Sequence, residues 1–348
     1  MNNLVISVDA MGGDKSPRVV IEGLAIAAKK NPDIRFLLFG DDAKVTPILN
    51  QHPDLKKVCE FRHTPEMVHN EDKPSQVIRN RNTSMYMAID AVRKGEAQAV
   101  VSAGNTGALM AISKMVLKTI TKIHRPAIVS IMPHRTGRYV MLDLGANTEC
   151  SAINLAEFAL MGDILARHAL GITKPKVALL NIGTEEMKGK EEIRQAAQMI
   201  KNSKMNLDFR GYIEPHEIPN GVADVIVADG FTGNIALKAT EGTARLVIRM
   251  VKDAIKGSFL AKLGLPFMMG VILKIKKTMD PRLYNGAMFV GLNGLSVKSH
   301  GGTDALGFSV AVGNAAMLVR QNFVPSIREE IEKIDLDELS QEAIYDVY

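Results

Sequence analysis

Tryptophan is absent from the 348 residues, and aromatic residues make up only 5% of the chain. A surface that reads nucleic acid needs stacking platforms and a strong basic excess. With few aromatics and a formal net charge of +5, this composition provides neither, so nucleic acid is excluded as a partner. Cysteine is nearly missing as well. Cys59 and Cys150 are the only two, and no secretory signal precedes Leu4-Val5-Ile6-Ser7-Val8. A disulfide framework is therefore excluded, and a reducing cytoplasm is the expected compartment. The chain also lacks solenoid repeats and low-complexity linkers, so nothing in its composition marks a domain boundary. The hydrophobic content of 46% is enough to bury a large core, as one α/β unit or two connected lobes.

What stands out instead is a pair of glycine-rich turns, Ser102-Ala103-Gly104-Asn105-Thr106-Gly107 and Asp229-Gly230-Phe231-Thr232-Gly233-Asn234. Each follows a short apolar run and opens a helical pattern. Glycine lets a backbone approach a ligand closely, the first-turn amides point outward unpaired, and the helix dipole favours an anion there. Asn and Thr add hydrogen bonds without charge. The pair suggests a site for a phosphate-like group.

Strand-like runs at 5–8, 36–39, 57–61, 99–101, 128–132, 140–144, 177–181 and 225–228 alternate with helical patterns at 19–29, 84–93, 108–118, 154–168, 193–201, 235–254 and 304–321. This rhythm predicts a mostly parallel sheet with helices on both faces, and 138–144 reads as a hairpin partner of the run before it. Ligands in such sheets bind beyond the carboxyl ends of strands. Asp9-Ala10-Met11-Gly12-Gly13-Asp14, Asp143-Leu144-Gly145-Ala146-Asn147 and Asn181-Ile182-Gly183-Thr184-Glu185-Glu186 sit at strand ends, as do the two glycine-rich turns. Five such loops predict one shared cleft.

These segments, with Asp72-Lys73-Pro74, Lys188-Gly189, Gly291-Leu292-Asn293-Gly294 and Lys298-Ser299-His300-Gly301, resemble in order the bacterial phosphate acyltransferases of phospholipid synthesis. The resemblance runs from about Leu4 to Arg320; Lys15 and the stretch Met67 to Glu71 depart from the family pattern. It implies a three-layer α/β/α fold with a mostly parallel sheet, similar to the isocitrate and isopropylmalate dehydrogenases and to phosphotransacetylases. It further implies transfer of a long-chain fatty acyl group from acyl carrier protein to inorganic phosphate, in a homodimer peripherally attached to the membrane. A glycerol-3-phosphate acyltransferase would consume the acyl-phosphate. No cofactor or metal is implied.

Phosphate attacking a thioester is already a competent nucleophile, so the chemistry asks for positioning and oxyanion stabilisation rather than a nucleophilic triad. Lys188, in a strand-to-helix loop and at a position the family resemblance marks, is the leading catalytic candidate, followed by Asn234 and Asp229. Asp229 could orient a donor lysine or simply bond the turn amides. Asp9, Gly12, Gly13, Asn105, Thr106, Gly107, Asn147, Thr232, Gly233 and His300 are candidates for holding phosphate or the rest of the substrate. Asp9 and Asp14 could suggest a metal pair, but anchoring of the first loop is the expected role. Cys150 is the rival nucleophile, since a helix start can lower a thiol pKa.

Residues 1–322 read as the catalytic unit. Within it, 257–281 form an apolar basic segment suited to an anionic membrane surface or a dimer interface, and 323–348 read as an acidic tail helix. Only the stretch between Lys262 and Lys274 is uncharged, well short of the roughly 20 residues a membrane span needs. Its basic edge, including Lys274, Lys276 and Lys277, could also receive an acidic carrier protein. A nicotinamide dehydrogenase is disfavoured because Gly-Asn-Thr-Gly is not the G-x-G-x-x-G fingerprint. A short-chain phosphotransacetylase and a non-catalytic membrane adaptor remain as alternatives.

Overall fold

Alternating apolar residues build the middle layer. In the computed structural model, which describes residues 4–333 apart from 260, 262–263, 265–266, 271–272 and 274–279, eleven strands form one continuous sheet. They are β1 (Leu4–Asp9), β2 (Ile34–Gly40), β3 (Cys59–His63), β4 (Ala99–Ser102), β5 (Ala127–His134), β6 (Gly137–Leu142), β7 (Lys176–Leu180), β8 (Asp208–Ile213), β9 (Val225–Val227), β10 (Ala287–Val290) and β11 (Leu295–Lys298). Their order is β3-β2-β1-β4-β11-β10-β5-β6-β9-β7-β8.

Successive residues of a strand face opposite sides, and β2 shows the consequence. Phe36 and Leu38 join a core with Leu24, Phe158 and Phe308 from the helices Arg18–Lys30, Ala152–Leu170 and Ala305–Arg320. Leu37 and Phe39 join a second core with Met85, Ile89, Leu109 and Ile112 from the helices Ser84–Arg93 and Thr106–Leu117. Each such side chain contributes roughly 1.5–3 kcal/mol on burial. The result is the expected α/β/α sandwich, and the hairpin is present as the antiparallel pair β5–β6.

Seven of the ten neighbouring strand pairs are parallel. The three antiparallel pairs, β11–β10, β10–β5 and β5–β6, lie together in the middle. Three reversals make the block β6-β9-β7-β8 run opposite to the block β3-β2-β1-β4-β11. The carboxyl ends of β1, β4 and β11 therefore lie along one rim of the sheet, and those of β6, β7 and β9 along the other. The strand runs read from sequence omit β8, β10 and β11. The last two span four residues each, joined by Gly291 to Gly294, and the reversal passes through them.

The helix Gly230–Gly257 spans 28 residues, about 42 Å. Among the described residues, no helix is long and apolar enough to cross a membrane. Of the apolar basic segment at 257–281, Lys262, Lys274, Lys276 and Lys277 lie outside the described residues. The tail helix is described as Phe323–Lys333; Phe323, Ile327 and Ile331 are buried in the larger core, and Glu330 pairs with Arg167. Residues 334–348 lie outside the described residues.

Candidate active site

Strand direction decides which polar loops meet. The rim beyond β6, β7 and β9 gathers Asp143–Asn147, Asn181–Lys190 and Asp229–Asn234. Asp143 is fully buried, and its carboxylate organises the first of these loops. Oδ1 accepts from the backbone N–H groups of Ile128 at 2.9 Å, Gly145 at 3.2 Å and Ala146 at 3.0 Å. Oδ2 accepts from Asn147 N at 2.7 Å and Asn147 Nδ2 at 2.9 Å. Burial pushes the Asp143 pKa up, while the N–H donors pull against that shift. Asn147 also donates Nδ2 to Pro126 O at 2.8 Å, so its amide supports the turn instead of facing outward.

The next helix docks on this loop through Gly230, whose N–H donates to Asn147 O at 2.8 Å. Asp229 is its N-cap. Oδ1 accepts from Thr232 N at 2.7 Å and Oδ2 from Thr232 Oγ1 at 2.9 Å. Oδ2 also lies 3.4 Å from Lys190 Nζ. Asp229 thus bonds the turn and also meets a lysine, and that lysine is Lys190. Thr232 is tied into the cap, Gly233 is buried against Asp143, and Asn234 is exposed above Gly145. Lys188 is exposed, with its stem over Gly183. Its carbonyl is fixed by Asn181 Nδ2 at 3.0 Å and its N–H by Glu185 O at 3.0 Å. This rim thus presents an ammonium, a carboxamide and a helix start, the donors an oxyanion requires.

The opposite rim gathers Asp9–Asp14, Ser102–Gly107 and Lys298–Gly302. Asp9 points inward: Oδ1 accepts from Ser84 Oγ at 2.7 Å and Met11 N at 3.1 Å, and Oδ2 accepts from Ser102 Oγ at 2.7 Å. Burial raises its pKa despite these donors. It anchors the loop, as expected. No cluster of three or more His, Cys, Asp or Glu suited to a metal occurs among the described residues. Gly12 allows two loops to touch, since a Cβ there would lie 2.5 Å from Gly104 N. Gly13 sits beside Ala103 and Gly301.

Asn105 caps the helix Thr106–Leu117 by accepting from Ala108 N at 3.0 Å, and its Nδ2 donates to Asn70 O at 2.8 Å and Asp72 O at 3.3 Å. Its side chain is committed to holding the loops, whereas Thr106 and Gly107 are exposed. His300 donates its backbone N–H to Asn285 Oδ1 at 2.9 Å, and its Nδ1 accepts from Gly302 N at 3.1 Å. Burial lowers the His300 pKa, and Lys298 followed by Lys238 adds to the lowering.

The five loops form two groups at opposite rims because strand direction reverses between them. A helix links the groups. Gly230 starts at one rim, and Lys238, Glu241 and Arg245 come near enough to His300 at the other to bias its ionisation. Cys150 does not compete as a nucleophile: burial pushes its thiol up to about 11, so the helix start does not activate it. The catalytic and binding candidates did not include Asn181, Lys190 and Lys298. Lys298 ends β11, a strand set among glycines that read as loop, and the other two are legible only through the carbonyl and carboxylate they meet in space.

A three-layer sandwich with oxyanion donors at its strand ends defines an α/β/α enzyme of the phosphotransacylase fold. It superposes on a phosphotransacetylase from Streptococcus pyogenes with a TM-score of 0.61 at 18% identity, covering 91% of this chain and 94% of that one. A branched-chain phosphotransacylase from Enterococcus faecalis V583 gives 0.56 at 15%, covering 91% and 99%. Residues 4–326 match the fatty acid synthesis protein family. A phosphate acyltransferase of Rhodospirillum rubrum is 50% identical over 336 residues, 96% of each chain. One from Paramagnetospirillum magneticum is 49% identical over 338 residues, 97% of this chain and 96% of that one. The chain belongs to this fatty acid synthesis family, as its motifs imply, and is an acyltransferase that moves acyl groups to or from phosphate.

Proposed function

We propose that the chain transfers a long-chain fatty acyl group from acyl carrier protein to inorganic phosphate. A phosphate oxygen attacks the thioester carbonyl, a C–O bond forms, and the tetrahedral oxyanion collapses as the C–S bond breaks. The departing thiolate takes its proton from solvent. Lys188 and Asn234 face the oxyanion, and Asp229 holds the helix start and Lys190 in place. Thr232 and Gly233 complete that start and Asn147 braces the loop beneath it. At the other rim, Gly12, Gly13, Asp9, Asn105, Thr106, Gly107 and His300 shape a recess for the remaining substrate. The observation that carries this reading is the exposed Lys188 and Asn234 beside the Asp229-capped helix.

Support for an acidic protein donor comes from Arg245 to Arg282, where nine Lys and Arg residues face only Asp253 and Asp280. The same segment suits an anionic membrane surface, which would place the enzyme at the cytoplasmic face of the membrane as a peripheral protein. Exposed Leu246, Val247, Met250 and Val251 repeat at helical spacing and fit a second copy of the chain, giving a homodimer. A glycerol-3-phosphate acyltransferase would consume the product. The test is mass spectrometry of purified chain with palmitoyl carrier protein and phosphate. Palmitoyl-phosphate is the expected product. Faster turnover of acetyl-CoA would instead favour short-chain phosphotransacetylase activity, suggested by the shared fold, and no turnover of either would leave an adaptor.

A further inference from the structure

Lys298 has no part in the chemistry assigned so far, yet it is a partly buried cation at this rim. It is the last residue of β11, where an outward-facing polar residue would ordinarily reach water. Instead its Nζ turns into the junction of the two loops. It donates to Ala103 O at 3.1 Å and to Ser299 O. Two of its three N–H bonds are therefore used on neutral carbonyls.

The titratable groups around it are few. Asp9 and Asp14 favour its charged form from a distance, and His300 follows two residues later. Asp9 is already engaged by Ser84, Ser102 and Met11, and Asp14 accepts from Asn70 Nδ2 at 3.2 Å. Enclosing an ammonium without a paired carboxylate costs several kcal/mol in general. Such a cost persists where an anion arrives to offset it. The anion would meet the remaining N–H together with the exposed first turn of the helix Thr106–Leu117, which begins three residues beyond Ala103.

We propose that Lys298 is a substrate-binding residue whose ammonium, clamped between Ala103 O and Ser299 O, takes a phosphoryl oxyanion at this rim. The inference deepens the acyl-transfer reading and rests on it for the identity of the anion. Two sources share the chemistry: inorganic phosphate and the phosphate ester of a pantetheine arm. Burial pushes the Lys298 pKa down to about 8, so the ammonium is present below that pH and lost above it.

Calorimetric titration with inorganic phosphate and, separately, with pantetheine 4′-phosphate tests this without requiring turnover. Wild-type chain should bind one of the two. Lys298→Met should weaken that ligand about tenfold or more, the loss expected for a charge-assisted hydrogen bond. Lys298→Arg should retain most of the binding. From pH 7 to 9 the wild-type affinity should fall as the ammonium deprotonates, while Lys298→Arg, which keeps its charge, should lose less. If Lys298→Met does not fold, the comparison of wild type with Lys298→Arg across pH still decides. Unchanged affinity in Lys298→Met, equal pH profiles for wild type and Lys298→Arg, or no binding of either ligand by wild type would each overturn the proposal. Failure to form acyl-phosphate despite Lys298-dependent anion binding would count against the acyl-transfer reading alone.

Discussion

Lys188 and Cys150 look similar in sequence, each a reactive residue near the start of a helix. Their surroundings separate them. Lys188 is exposed on a turn whose backbone is fixed at both its N–H and its carbonyl, so its flexible stem starts from a defined point. Cys150 is half-buried with a thiol near 11, and its Sγ lies 3.9 Å from Asn147 O. Lys188→Ala should lower kcat by about a hundredfold, the scale of losing one oxyanion donor, with the melting temperature little changed. Near-normal turnover would remove it from the site. Cys150→Ala should keep at least half of wild-type activity, and the native thiol should resist iodoacetamide at pH 7.5. Rapid alkylation coupled to inactivation would reverse that assignment. Asp9, Asn105 and Asn147 teach the complementary lesson. A polar side chain in a glycine-rich loop often spends its bonds on the loop itself.

The element that matters most is the helix Gly230–Gly257. Its first turn docks so closely on the β6 loop that a Cβ at Gly230 would meet Asn147 O at 2.5 Å, and one at Gly233 would collide with Asp143 O. Backbone oxygens cannot swing aside as a flexible side chain can. Gly233→Ala should therefore displace the helix start, carrying Asn234 with it. The expected outcome is a loss of about 1–3 kcal/mol of stability, typical of overpacking, with activity falling further than stability. Urea unfolding and turnover measured on one preparation check both parts. The longer helices and most strands were legible from periodicity because their buried faces repeat every 3.6 or 2 residues, whereas the short helix Asp42–Leu49 was not. β8 was not, since it is half-buried and carries Gly211 within it. β10 and β11 were not, since they are short and set between Gly286, Gly291 and Gly294, which read as loop.

At the scale of the molecule, the reversal through β10, β5 and β6 governs where chemistry can occur. It sorts the loops into two groups joined by a helix, and that helix continues past both as an exposed apolar face. Val247→Asp together with Met250→Asp should shift the chain from dimer to monomer in light scattering, because two buried carboxylates would oppose the contact. An unchanged mass would exclude this face as the interface. The sequence by itself determined the α/β/α class, the family and the residues from which a site could be drawn, since hydrophobic period and loop composition are local properties of the chain. Only the tertiary structure decided which loops share a rim, which side chains remain free for a ligand, and that Lys298 is enclosed. Strand direction and burial arise from pairings between residues far apart in the chain, and no local pattern records them.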